Sequence, residues 1–428
     1  MRDGGRLSAA IEVLSDIETR HKPARLALKA WGDGARYAGA KDRAFVSGLV
    51  LDVLRRKRSL AWMMGEETDR ARTLAALRFV WAWPAERVAE AAGDEPHGPG
   101  ALTEAESAAF AAPRSLADAP ADVAGDYPDW LDTALTRIFG EDRAAEGQAL
   151  AIRAPVDMRA NTLKADTGRV IHALATFNPE ASEMLPDAVR IPAPAASERA
   201  APVESSPVFE KGWFEVQDLG SQLAAACAGD IKGKQVLDFC AGGGGKTLAL
   251  AAAMENKGQL YAYDSEARRL SDTVKRSQRA GVRNLQIRSP IEADPLRELD
   301  ARMDLVFVDA PCTGSGTWRR HPDTKWRLSP EQLERRIAEQ DAVLAQAQAF
   351  VKPGGRLVYV TCSLLAEENE DRIAIFLAAH DGWSVRPPTL EAVQPYLTPA
   401  GFVRLTPRTA ATDGFFVAVL ARPETPAG

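Results

Sequence analysis

The sequence predicts an α/β fold in three parts: an all-α region, a small α/β subdomain, and a Rossmann-like domain built on a doubly wound sheet. Three observations predict it. Strand-like runs at 235–239, 259–263, 284–288, 305–308 and 356–360 alternate with helical stretches, the rhythm of a doubly wound parallel sheet. From Leu7 to Trp83 apolar residues recur at helical spacing with few breakers. After Ala154-Pro155 come short strand-like runs broken by Pro, Asn and Gly, among them Val189-Arg190-Ile191 and Gly212–Val216, which mark a small mixed insert. The expected divisions are 1–140, 145–230 and 231–424.

In the helical region, Ile11–Leu14 and Phe45–Leu54 carry the clearest periodicity, and the second ends in Arg55-Arg56-Lys57-Arg58. A basic run there serves either to compensate the helix dipole on a solvated face or to contact nucleic acid. Residues 91–127, rich in Ala, Gly, Pro, Asp and Glu, read as an irregular connection with one short helix. A helix resumes at Pro128–Leu131 and runs to Phe139-Gly140.

The formal charge of −6 is unevenly spread. Residues 1–60 hold thirteen Lys and Arg against seven Asp and Glu, whereas Arg114 is the only Lys or Arg between Glu90 and Asp132. The total therefore neither selects nor excludes a polyanionic partner, since phosphate contacts depend on the local field. The four cysteines lie in the second half without a Cys-x-x-Cys spacing, so neither a metal site nor a disulfide framework is expected. No apolar run approaches the roughly 18 residues that span a bilayer, and the start lacks a cleavable leader pattern. A cytoplasmic monomer with no membrane partner is expected.

Chemistry concentrates at strand ends. The run Val236–Phe239 leads into Cys240-Ala241-Gly242-Gly243-Gly244-Gly245-Lys246-Thr247 and then an apolar helix. Glycines let the backbone approach a ligand, and a helix N-terminus favours its polar or anionic groups. Asp264 ends the next strand, nineteen residues after Gly245, where an acid grips a ribose diol. A P-loop reading of Gly-Lys-Thr requires glycine at position 240, which is Cys240.

Two further strands end in reactive groups. Leu305–Val308 leads to Asp309-Ala310-Pro311-Cys312, and Leu357–Val360 leads to Thr361-Cys362-Ser363. A lone cysteine is usually a small buried hydrophobe. Two at neighbouring strand tips, facing a cofactor loop, favour catalysis. Between them, Arg319, Arg320, His321, Lys325 and Trp326 interleave cations with aromatics. That mixture suits RNA phosphates and bases, against the alternative of a polar loop carrying core tryptophans.

Together these segments, with Arg159–Lys164, Val216-Gln217-Asp218, Ser221-Gln222 and Thr412–Phe416, resemble the Nol/Nop/Sun (RsmB-like) family of RNA 5-methylcytosine methyltransferases. The similarity covers roughly residues 128–422, and the helical region with Asp42–Phe45 resembles a shortened NusB-like domain. The resemblance implies a class I methyltransferase domain and S-adenosylmethionine held by residues 240–246, Asp264 and Asp309. It also implies an RNA substrate, with small-subunit rRNA favoured by the NusB-like part. Transfer RNA, or an idle ribosome-assembly role, is the alternative.

Cytosine C5 is a poor nucleophile until a thiolate adds at C6, which makes C5 an enamine carbon. In the resembling family the Thr-Cys cysteine attacks and the Pro-Cys cysteine assists release, which assigns Cys362 and Cys312. Residue chemistry alone leaves their order open. Asp309 is assigned to N3 and the 4-amino group, and Lys246 to the field around the thiolate.

Two departures stand out. Gly242 and Gly243 replace the family's Ala-Pro, and the third-strand acid expected to contact adenine falls at Ser289-Pro290, with Glu292 or Asp294 as substitutes. Weak cofactor affinity is the expected consequence, which nanomolar binding by calorimetry would contradict.

Overall fold

The computed structural model describes residues 1–424. It forms two compact units. The helical unit comprises Met1–Arg153, Ala193–Ala200 and Thr317–Leu328, and the α/β unit comprises Ala154–Pro192, Ala201–Gly316 and, among the described residues, 329–424.

The helical unit is built on Asp3–Arg20, Ala24–Gly34, Ala40–Arg55 and Lys57–Met64. Leu7, Leu14, Val46, Leu49 and Val53 fall on the inward stripes at helical spacing and are buried. Phe45 meets Trp81 edge-on at 4.8 Å. Its helices continue past the expected boundary at 140, because Asp132–Phe139 and Ala121–Ala124 both pack on Arg143–Leu150. One short helix of the acidic stretch, Glu104–Ala111, starts with a Thr103/Glu106 capping box.

The basic run is engaged internally: Arg55 pairs with Asp52 at 2.8 Å, Lys57 with Glu18 at 2.7 Å and Arg58 with Asp122 at 2.7 Å. Of the two readings of this run, contact with nucleic acid finds no support in those pairings.

The α/β unit holds two sheets. The small one has the order β2-β3-β1-β4, with β1 (Val156–Ala160), β2 (Glu180–Ala181), β3 (Ala188–Ile191) and β4 (Phe214–Val216), all antiparallel. Among the described residues the large sheet has eight strands: β5 (Gln235–Asp238), β6 (Gln259–Tyr263), β7 (Leu285–Arg288), β8 (Met303–Asp309), β9 (Val351–Thr361), β10 (Ser384–Val385), β11 (Val403–Leu405) and β12 (Phe415–Ala421). Its order is β10-β12-β9-β8-β5-β6-β7, and β11 also pairs with β12.

Strands β5 to β9 are parallel neighbours, while β12 runs antiparallel to β9 from Phe416 opposite Thr361 to Ala421 opposite Arg356. Leu305 and Phe307 pack on one face with Leu250, and Val306 and Val308 pack on the other with Leu344 and Ile373. Apolar residues therefore occupy both faces of β8, as a strand covered by helices on two sides requires. The sheet sets the site geometry: parallel strands deliver all their C-terminal ends to one edge.

Candidate active site at the strand tips

The cofactor loop lies between β5 and the helix Gly245–Ala253. Gly242 takes φ 53° and Gly244 φ 83°, left-handed values that favour glycine. A Cβ on Gly244 would press against Thr273 at 2.8 Å, while one on Gly242 would meet nothing within 4 Å. The loop is thus pinned from below by Thr273, whose hydroxyl donates to Gly242 O at 2.9 Å, and open above. The first turn of a helix leaves N–H groups without intrahelical partners. An open glycine cradle with those donors fits the carboxylate of a methionine moiety.

Asp264 is buried just beyond β6, its Oδ2 accepting from Gly242 N at 2.9 Å and its Oδ1 from Glu266 N at 2.8 Å. It braces the loop from the tip of β6. Glu292 and Asp294 are exposed on the turn after β7, and Ser289-Pro290 is half-buried.

The tips of β8 and β9 bring the reactive groups together. Cys312 Sγ and Cys362 Sγ are 3.3 Å apart, and Asp309 accepts from Lys246 Nζ at 2.7 Å. Burial disfavours the Lys246 cation, but Asp309's charge and hydrogen bond, with a smaller contribution from Cys362, raise its pKa above the ordinary lysine value. The hydrogen bond to Cys362, burial and the nearby Glu368 carboxyl push the Cys312 thiol well up. Either sulfur can be the hydrogen-bond donor of the pair.

Beneath the loop, burial pushes the Asp238 carboxyl up to about 7 despite a 2.6 Å hydrogen bond from Thr247. Phe415, at the start of β12, places its ring 5.2 Å from Lys246 Nζ.

A family model described as 16S rRNA methyltransferase RsmB/F matches residues 230–421. The "Probable ribosomal RNA small subunit methyltransferase B" of Synechocystis sp. is 32% identical over 302 residues, covering 69% of this chain and 67% of that protein. The chain belongs to the RsmB/F family of 16S rRNA methyltransferases. Its cofactor is S-adenosylmethionine. Among solved structures, "Methyltransferase Homolog Protein from Pyrococcus Horikoshii" superposes with TM-score 0.60 at 27% identity, over 71% of this chain and 97% of its own. The crystal structure of PH0851 superposes with TM-score 0.72 at 24% identity, over 98% of this chain and 99% of its own. The likeness of fold to PH0851 therefore runs through the helical unit as well as the RsmB/F domain.

Of the residues expected to contact RNA, Lys325 and Trp326 are turned to backbone carbonyls. Thr317–Leu328 belongs to the helical unit, not to the 231–424 domain. Lys325 is 1% exposed and donates to Arg55 O at 3.0 Å, and burial brings its pKa down to about 8. Trp326 packs against the helical core and donates from Nε1 to Leu54 O at 2.6 Å. Arg319 is buried, and its carbonyl takes a 2.9 Å hydrogen bond from Arg55. The Lys325 ammonium and the Trp326 indole N–H are spent on the helical unit, while Arg320 and Trp326 are half-buried and His321 is exposed.

A different basic and aromatic cluster lies in the α/β unit. Arg169 sits 4.5 Å over the Trp213 ring, Lys211 lies 5.7 Å from that ring, and Arg279 lies 3.9 Å over Phe209. Lys164 joins them through hydrogen bonds to Lys211 O and Arg279 O. Arg276 continues the series to the cofactor loop by donating to Gly243 O at 2.5 Å. The sequence does not show these residues as a cluster, because they come from three separate stretches of chain.

Among the described residues no group of three or more His, Cys, Asp or Glu is placed to hold a metal ion, and no helix is long and apolar enough to cross a membrane.

Proposed function

We propose that this protein methylates C5 of a cytosine in 16S rRNA through a covalent Cys362–C6 adduct. The observation that carries the reading is the thiol pair at 3.3 Å on adjacent strand tips, beside the Asp309–Lys246 pair. S-adenosylmethionine supplies an electrophilic methyl on a sulfonium. Cys362 Sγ adds to C6, and the C5–C6 π electrons move to C5. Asp309, whose carboxyl is a third exposed and bonded through one oxygen, orients N3 and the 4-amino group of the base. Residues 240–246 and Asp264 would hold S-adenosylmethionine, which would give its methyl to C5 and keep the electron pair of the broken C–S bond on its sulfur. The C5 proton leaves to a base in solution, and the C6–S electron pair returns to Cys362, which restores the ring.

Cys312 assists that release. The hydrogen bond to Cys362, burial and, to a smaller extent, the Glu368 carboxyl favour its protonated thiol, so it is suited to protonate or hydrogen-bond the departing Cys362 sulfur. The cluster of Lys164, Arg169, Lys211 and Arg279 around Phe209 and Trp213 suits an RNA backbone with unstacked bases.

The test is covalent trapping. With 5-fluorocytosine-containing 16S rRNA, Cys362→Ala abolishes both adduct and methyl transfer, whereas Cys312→Ala accumulates a stalled adduct on ordinary RNA. If Cys362→Ala still crosslinks and Cys312→Ala does not, the two roles are exchanged. Bisulfite sequencing of RNA from a deletion strain then locates the nucleotide, and an unchanged 16S pattern overturns the rRNA assignment.

A further inference from the structure

Each cysteine of the pair is held by its chain neighbours rather than by its own backbone alone. On the β8 side, Glu368 accepts from Thr313 N at 2.8 Å and Thr313 Oγ1 at 2.5 Å. Gln340, on the helix Pro330–Phe350, donates to Glu368 at 3.0 Å and to Pro311 O at 2.9 Å. Pro311 and Thr313 flank Cys312.

On the β9 side, Asn369 accepts from Thr361 Oγ1 at 2.5 Å and donates to Ser363 O at 2.9 Å. Thr361 and Ser363 flank Cys362. The dipeptide is itself fixed from below, since Tyr359 OH donates to Glu368 O at 2.7 Å. Both residues are buried, at 0% and 2% exposure, so neither reaches RNA or cofactor.

Such a burial is costly unless every polar atom is used. Glu368 receives three hydrogen bonds from Thr313 and Gln340 and has a further hydrogen-bond interaction with Ser363, whereas Asn369 spends both its oxygen and its nitrogen on the Cys362 loop. Two adjacent residues with divided loyalties can set the separation of two sulfurs without touching either.

We propose that Glu368 and Asn369 are positioning residues with separate charges: Glu368 sets the Cys312 loop and Asn369 sets the Cys362 loop. This rests on the two-cysteine reading above. Its consequence is a split phenotype, in which each variant copies a weakened form of the cysteine variant whose loop it holds. Misplacing a reacting group by about 1 Å costs on the order of 100-fold, so the affected step slows by roughly 10- to 100-fold and the other by less than about twofold.

The experiment uses the full-length protein, with adduct formation on 5-fluorocytosine RNA and adduct decay on ordinary RNA measured for Glu368→Gln, Asn369→Ala, Cys312→Ala and Cys362→Ala. Expected are slow decay with normal formation for Glu368→Gln, and slow formation for Asn369→Ala. Thr313→Val and Thr361→Val remove single hydroxyls and repeat the split should either first variant fail to fold. The alkylation rate of each thiol by iodoacetamide, read by mass spectrometry, gives the same comparison without the reaction: Glu368→Gln changes Cys312 and Asn369→Ala changes Cys362. Equal slowing of both steps by both variants, or alkylation rates that move together, overturns the division of labour. Should Cys312 prove to be the nucleophile, the phenotypes exchange but each still follows its own cysteine. In that case the role assignment falls while the positioning inference stands.

Discussion

Replacing Asp238 by Asn tests the electrostatics under the cofactor loop. Asp238 ends β5 at 0% exposure, with Oδ2 bonded to Thr247 and Oδ1 without a partner. Burial pushes its pKa from the ordinary 3.8 to about 7, and the nearby Asp309 and Asp264 act in the same direction. Between those two values the folded protein keeps a proton that the unfolded chain gives up, so stability falls as pH rises through that window. At about 1.4 kcal/mol per pH unit the full penalty reaches about 4 kcal/mol above pH 7. Below pH 4 it vanishes.

Asparagine keeps the shape and loses the charge, so its advantage over aspartate grows with pH. For domains of this size 1 kcal/mol corresponds to about 2–4 °C. Even a quarter of the full penalty therefore moves the α/β unit's melting midpoint by about 2–4 °C between pH 4.5 and pH 8. Scanning calorimetry of both proteins without cofactor reads the difference. A gap between the two midpoints that stays constant with pH, or that narrows as pH rises, refutes the reasoning.

Other perturbations have simpler outcomes. Gly316→Ala places a Cβ 2.2 Å from Gly414 O, next to the amide that donates to Cys362 O. It should cost about 1–3 kcal/mol in urea denaturation and slow adduct formation, and an unchanged midpoint would mean the backbones are not that close. Phe416→Ala empties a fully buried position between β9 and β11, with an expected loss of about 3–5 kcal/mol in the same assay. Lys325→Met should leave RNA affinity within about twofold, whereas Lys211→Ala should weaken it and reduce the salt slope by about 1. Filter binding across salt concentrations separates the two, and weaker binding by a folded Lys325→Met protein would return that lysine to the RNA surface.

What the sequence revealed depended on whether a pattern had one physical meaning. Residues 235–247 were legible, since a buried strand, a glycine run and an apolar helix in that order have few other uses, and β5 to β9 appear where the alternation predicted them. Strand β12 was harder. Phe415–Ala421 is apolar at nearly every position, so its pattern carries neither direction nor partner, and only the ladder with β9 shows it antiparallel. The 317–328 segment is ambiguous for a related reason: in sequence, Lys325 and Trp326 look the same whether they face a phosphate or a peptide carbonyl. The carbonyls that take them belong to Leu54 and Arg55, some 270 residues away in sequence.

A buried lysine needs compensation, and the nearby Asp126 carboxyl is the charge that favours the Lys325 cation. Asp126 is itself buried and bonded to Ser59 and Arg58 N. Nothing local in the sequence joins Asp126 to Lys325. Glu368 and Asn369 show the same limit at the active site: beside a reactive cysteine segment an acid and an amide read as solvated polar residues. Only the fold shows that one is turned to Thr313 and the other to Thr361. Reaction chemistry was readable because it fixes residue types at strand tips, whereas positioning residues are defined by which loop they reach, and that is a property of the packed chain.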